Sequence, residues 1–148
     1  MSDRRLANTI TASMFLLATT VLLPSTAGAM ASFALGIPDD VAHHGLAYGT
    51  AWNHSSRESA DADALSSCRG FTGAPDDTRA LCKVVAHFDH QCLAISMDPK
   101  AGTPGYGWAI ADTESAASEQ ALQHCQDTAG ADRTAYCESS EAECDTTP

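Results

Sequence analysis

From residue 44 to 52 the chain alternates large and small side chains. Leu46, Tyr48, Thr50 and Trp52 fall on one side; Ala47, Gly49 and Ala51 fall on the other. The same alternation returns near residue 106, where Tyr106, Trp108 and Ile110 oppose Gly107, Ala109 and Ala111. Each run predicts a strand with one large face and one nearly bare face. Each is followed by a shift to helical spacing. Ser55 and Glu58 form a capping-box pattern, Ala60, Ala64 and Cys68 then recur every four residues beside Leu65, and Gly70 stops the helix. The second helix starts near Asp112 or Thr113 and places Ala117, Ala121, Leu122 and Cys125 equivalently. Both helices read A-x-x-x-A-L-x-x-C, an internal repeat of one supersecondary block. Small residues on both surfaces predict that the helices pack on the Gly/Ala faces of the strands.

The intervening segments fill in the rest. After a polar loop over 71–79, residues 81–88 predict a strand, 89–91 a turn, and 92–97 its hairpin partner. Residues 98–105, rich in Pro and Gly, separate the copies. In the second copy 134–138 reads as a strand and 139–148 as an acidic tail pinned by Cys144. The expected fold class is α+β: about five mostly antiparallel strands, two helices on one face, and a framework of disulfides. It occupies a single domain, 45–144, made of two copies at 45–98 and 105–144, with 30–44 as an N-terminal extension.

Residues 1–29 carry the features of a cleaved signal peptide. Arg4 and Arg5 precede an apolar run that Pro24 interrupts, and Ala27-Gly28-Ala29 supplies the small-x-small pattern. Cleavage after Ala29 is the first choice and after Ala31 the second. The run is too short and too broken by Ser and Thr for a stable membrane anchor, which needs about 20 apolar residues. The expected location is therefore periplasmic or secreted. What remains, roughly 120 residues, suits one domain.

Six cysteines in an exported chain point to disulfides. If the copies fold alike, Cys68 pairs with Cys82 and Cys125 with Cys137. Cys92 and Cys144 then remain to clamp the two copies together. The formal net charge is −11 and grows by one negative unit once Asp3, Arg4 and Arg5 are removed. Such a surface disfavours nucleic acid and anionic lipid and steers basic partners.

The Tyr48-Gly49 strand, the Ala-rich helix ending Ala64-Leu65-x-x-Cys68, and Cys82-Lys83-Val84-Val85 with a following Cys92 resemble the bacterial exported domain of unknown function 4189 family. Tyr106-Gly107-Trp108 and Ala121-Leu122-x-x-Cys125 match it again, so the resemblance spans about 45–144. The chain departs from the family at Cys137-Glu138-Ser139-Ser140, where relatives tend to repeat Cys-x-Val-Val. The resemblance implies no catalytic residue. It implies secreted factors, some encoded beside contact-dependent secretion systems.

Few residues offer chemistry. His87, Asp89, His90 and Cys92 crowd one hairpin end, and His87-x-x-His90 is the one weak candidate for a metal. His54 is expected to orient the strand-to-helix junction, and His124 to sit at a helix end facing the dipole. Asp61 with Asp63, and Asp76 with Asp77, read as solvated faces. The sequence holds no G-x-S-x-G, G-x-x-x-x-G-K-[ST] or H-E-x-x-H, and no cofactor is expected. The aromatic residues Tyr48, Trp52, Tyr106 and Trp108 are the candidate binding residues. Either they form an exposed patch on the sheet face away from the helices, or they are the core beneath them. The expected function is a non-enzymatic binding protein with a protein partner, such as an immunity or inhibitor protein against a secreted toxin or hydrolase. A secreted effector acting on another cell is the alternative, and a small metal-binding enzyme a more distant one.

Overall fold

The computed structural model describes residues 30–145; the expected signal peptide, 1–29, lies outside them. The described chain runs β1 (Met30–Gly36), α1 (Val41–His44), β2 (Ala47–His54), α2 (Arg57–Arg69), α3 (Asp76–Ala80), β3 (Lys83–Phe88), β4 (Cys92–Met97), β5 (Tyr106–Ala111), α4 (Glu114–Thr128), a 3-10 turn (Thr134–Tyr136) and β6 (Glu138–Cys144). The class is α+β, as the pattern implies. In place of one five-stranded sheet there are two antiparallel three-stranded sheets, ordered β2-β1-β3 and β5-β4-β6.

This changes the division of the chain. Residues 30–36, assigned to an extension, form the central strand of the first sheet, because Ala31, Phe33 and Leu35 alternate with Ser32 and Ala34 and are all buried. Residues 92–97 do not form a hairpin with β3. They are the central strand of the second sheet and pair with β5 and β6. β3 already has β1 as its neighbour, and the turn at Asp89–Gln91, with His90 at φ 53°, carries the chain across to the other sheet. Each half is therefore strand, strand, helix, strand, with the first strand in the middle. The boundary between halves falls between β3 and β4, not at 98–105.

Four layers result, α2, first sheet, second sheet and α4, and residue size sorts them. The outer layers are built from Ala34, Ala47, Ala60, Ala64 and Cys68 under α2, and from Ala94, Ala109, Ala117 and Ala121 under α4. Both helices approach so closely that a Cβ at Gly49 would overlap Ala64 O and Cys68 N, and one at Gly107 would overlap Ala121 O and Cys125 N. The layer between the sheets holds the large residues: Phe33, Leu35, Phe88, Leu93 and Ile95. Burying such side chains supplies about 1.5–3 kcal/mol each, so the sheet-to-sheet layer is the principal core.

Helix starts follow local chemistry. Ser56, not Ser55, caps α2: its hydroxyl accepts from Ser59 N at 3.2 Å. Thr113 caps α4 through Ala116 N at 3.2 Å. The loop after α2 contains α3, whose Thr78 is buried and donates to His44 O at 3.0 Å. The expected strand at 134–138 is a 3-10 turn, and the expected acidic tail supplies β6. An edge strand tolerates a polar, charged sequence because one side faces water.

The three disulfides join Cys68 to Cys82, Cys125 to Cys137, and Cys92 to Cys144. The first two tie a helix to the chain entering the last strand of its own half. Cys92 and Cys144 face each other across β4 and β6. That bond lies within the second sheet and does not clamp the halves together; the apolar layer between the sheets does that. Among the described residues no helix is long and apolar enough to cross a membrane.

Candidate functional site

The four aromatic residues singled out by the sequence are neither an open patch nor the core beneath the helices. They point between the sheets, since the missing second layer is the other half of the molecule. Trp108 of β5 meets Phe33 of β1 with ring centroids 5.3 Å apart, a contact between sheets. Trp52 meets Phe88 edge-on at 5.1 Å, and Tyr48 packs on Phe71 at 4.6 Å. All four, Tyr106 included, are partly buried against the inter-sheet core. Their main role is packing.

The rim of that layer carries a polar contact that sequence reasoning missed. Glu141 of β6 lies close enough to Tyr48 of β2 for each to influence the other's ionisation. Partial burial is the first cause holding the Glu141 carboxyl above its ordinary value, and the neighbouring charge of Glu143 is the second; the Tyr48 hydroxyl pulls the other way. Burial, then the charge of Glu141, pushes the Tyr48 phenol up as well. Glu138 and Glu143 are exposed on the same strand, whose outer edge is unpaired among the described residues. Below them Asp145 is buried: Oδ1 accepts from Asn53 N at 3.2 Å, and Asp145 N donates to Gln91 O at 2.8 Å. The β6 edge thus presents acidic groups on a strand fixed by disulfides at both ends, Cys137 and Cys144.

The histidines are dispersed. His87 Nε2 lies 2.8 Å from Asp61 Oδ1, and the Ser32 hydroxyl donates to the same oxygen at 2.6 Å. Asp61 is therefore not a solvated acid; it ties α2 to β1 and β3. The Ser32 hydroxyl, first, and His87 hold its carboxyl below the usual range. A carboxylate stands between the hydroxyl and the imidazole, and Ser32 is fully buried, so the trio lacks the serine-to-imidazole contact that activates a nucleophile. His90 pairs with Asp89 in the turn. Cys92 is in a disulfide, and no group of three or more potential ligands converges on a metal position among the described residues. His87 and His90 thus have separate partners. His54 sits at the junction into α2, 3.1 Å from Ser59 Oγ and 3.3 Å from the largely exposed Asp63. His124 Nδ1 lies 2.8 Å from Trp108 O, and Thr128 bonds both backbone groups of Tyr106, so α4 side chains cover the free edge of β5.

A crevice of about 480 Å³ opens where the ends of the two halves meet. One wall is the segment from Val41 to Leu46, a second is the loop carrying Phe71 and Pro75, and the third is the loop from Met97 to Gly105. That third wall is anchored. Asp98 is buried and receives Arg133 Nε at 2.7 Å, Arg133 Nη2 at 2.6 Å and the Lys100 backbone N–H at 3.0 Å. The Arg133 guanidinium, chiefly, holds the Asp98 carboxyl below its ordinary range. The guanidinium itself lies 4.0 Å from the Tyr136 ring centre.

A family model described as "Domain of unknown function (DUF4189)" matches residues 38–144. The match takes in every element after β1. No curated protein and no solved structure matches the chain.

Proposed function

The chain belongs to the DUF4189 family, and from that premise we propose that it is an exported, disulfide-stabilised binding protein whose partner is a basic protein. The observation that carries this reading is the β6 edge: a strand unpaired on its outer side among the described residues, with Glu138 and Glu143 exposed and Glu141 half-buried. Partial burial, and then Glu143, also disfavour the Glu141 carboxylate in the free protein. A Lys or Arg brought to the β6 edge would offset the repulsion among these acids and give the half-buried carboxylate a counter-charge. The strong negative charge steers such a partner. The disulfides and the inter-sheet core keep the edge from losing much entropy on binding.

Within that class we favour an immunity or inhibitor protein retained in the periplasm against a secreted toxin or hydrolase; a secreted effector is the alternative. Export is supported by the three disulfides, which an oxidising compartment maintains. Cleavage after Ala31 would remove Met30 and Ala31 from the central strand.

The test is capture from periplasm and culture fluid with tagged wild-type protein and with the Glu138→Gln/Glu141→Gln/Glu143→Gln variant. A basic protein recovered by wild type, lost with the variant and released by salt supports the reading. Equal recovery by both removes it. Fractionation of the producing cell decides between inhibitor and effector.

A further inference from the structure

The crevice between the halves carries basic side chains on a strongly acidic protein. The chain has 19 acidic residues and 8 basic ones, yet His43, His44 and Lys100 line this one opening. The acids around it are engaged or turned elsewhere. Asp40 holds His43 at 2.7 Å. Asp98 is taken by Arg133. Asp76, beyond Pro75, pairs with Arg79. Glu138 is in register with Met97 but does not line the crevice, nor do Asp39 and Asp77. Lys100 has no ion-pair partner among the described residues, and His44 has only the Asp40 backbone carbonyl, 3.1 Å from its Nδ1.

Beneath this rim the walls are apolar. Leu46 is buried, and Phe71, Met97 and Val41 are each partly exposed around it. The Phe71 ring is held in place by Tyr48. A volume of about 480 Å³ lies within the range of small-molecule sites and is too small for a helix or a folded partner. An apolar floor under an unneutralised ammonium group suits one chemistry: a hydrophobic body with a single negative head.

We infer that this crevice binds a small amphipathic monoanion, with its apolar part on Leu46, Phe71 and Met97 and its anionic head at Lys100 and His44. The site is separate in its residues from the acidic β6 edge and stands or falls without it. Both halves contribute walls, so the ligand also bridges the two sheets at their ends.

The test uses the disulfide-intact protein and titrates dodecanoate, dodecylammonium and the fluorescent probe 8-anilinonaphthalene-1-sulfonate. Dodecanoate should bind saturably, displace the probe, and bind at least about tenfold more tightly than dodecylammonium, a difference of about 1.4 kcal/mol. Lys100→Glu should weaken dodecanoate by about tenfold or more, and Ala101→Trp, which fills the opening from an exposed loop position, should abolish binding. Circular dichroism and intact disulfides establish that both variants fold. The proposal is overturned if the two amphiphiles bind equally, if Lys100→Glu leaves dodecanoate affinity unchanged, or if no saturable binding occurs below about 1 mM.

Discussion

The two halves of the molecule share an outer layer but tie their strands together differently. In each, an alanine-rich helix lies on a glycine of the edge strand, Gly49 or Gly107, and sends a cysteine to the chain entering the last strand. The first half then joins its centre and far edge by polar contacts, with Ser32 of β1 and His87 of β3 meeting on Asp61 of α2. The second half does so covalently, with Cys92 of β4 bonded to Cys144 of β6. The choice follows the strand being held. β3 supplies Phe88 to the inter-sheet core and is retained by burial. β6 is polar and half exposed, so packing alone holds it weakly. A fold can keep one architecture while replacing apolar retention with a crosslink.

The largest break in this comparison should come from removing that crosslink. Cys92→Ala/Cys144→Ala opens a span of 52 residues, for which chain entropy predicts a loss of about 4 kcal/mol. Denaturant unfolding measures it, and hydrogen exchange locates it: β6 amides should lose protection while β1 and β3 keep theirs. Equal loss of protection in both sheets would mean that the bond supports the whole molecule and not one edge. Cys68→Ala/Cys82→Ala, with a span of 14, should cost somewhat less, about 3 kcal/mol.

The glycines come next and test what the halves have in common. Gly49→Ala and Gly107→Ala each force a methyl group into helix backbone, and overpacking of this kind costs about 3 kcal/mol. The two losses should agree within about 1 kcal/mol if the outer layers are equivalent. A strong effect at one glycine with tolerance at the other would mean that one helix can shift away.

How far the sequence revealed these features depends on the signal each leaves. The outer layers were legible: Gly and Ala alternating in strands, and Ala at every fourth helical position, dictate close packing wherever they occur. The shared strand order was partly legible, because Tyr48-Gly49 and Tyr106-Gly107 mark the edge strands. The central positions were not: residues 92–97 read as a strand but with the wrong partner, residues 30–36 read as an extension beside the signal-like segment, and the two share no motif. Misassigning them removed the second sheet, and with it the layer that covers the aromatic residues. The β6 edge was missed because a polar strand at a sheet margin has the composition of a tail. The Asp61 contacts and the crevice join residues far apart in sequence and left no local pattern.

A smaller effect should distinguish the polar tie from the covalent one through pH. Asp61→Ala leaves the buried Ser32 hydroxyl without its acceptor, costing about 1–2 kcal/mol at neutral pH. The Asp61 carboxyl lies below its ordinary value in the folded protein. Its contribution is therefore present above the unfolded carboxylate value, near pH 4, and fades as pH falls through the lower folded value. The gap between wild type and variant should narrow below that range without closing, because a protonated Asp61 still accepts from Ser32 and alanine does not. The Cys92–Cys144 contribution has no such titration and should persist in acid.

The smallest effect has the opposite sign. Glu141 has its carboxyl raised in the folded protein, first by burial and then by Glu143. The folded state therefore favours the protonated form, and stability declines as pH rises from the unfolded carboxylate value through the higher folded one. Glu141→Gln removes that charge while keeping a group able to bond the Tyr48 hydroxyl. It should leave the protein as stable as wild type at pH 4 and slightly more stable at pH 7, by about 0.5 kcal/mol. Thermal unfolding at the two pH values measures this. If the variant gains stability and fails to capture a basic protein that wild type captures, the acid is retained for binding at some cost to the fold. If it is less stable at both pH values, Glu141 serves to hold β2 against β6 and the binding role falls.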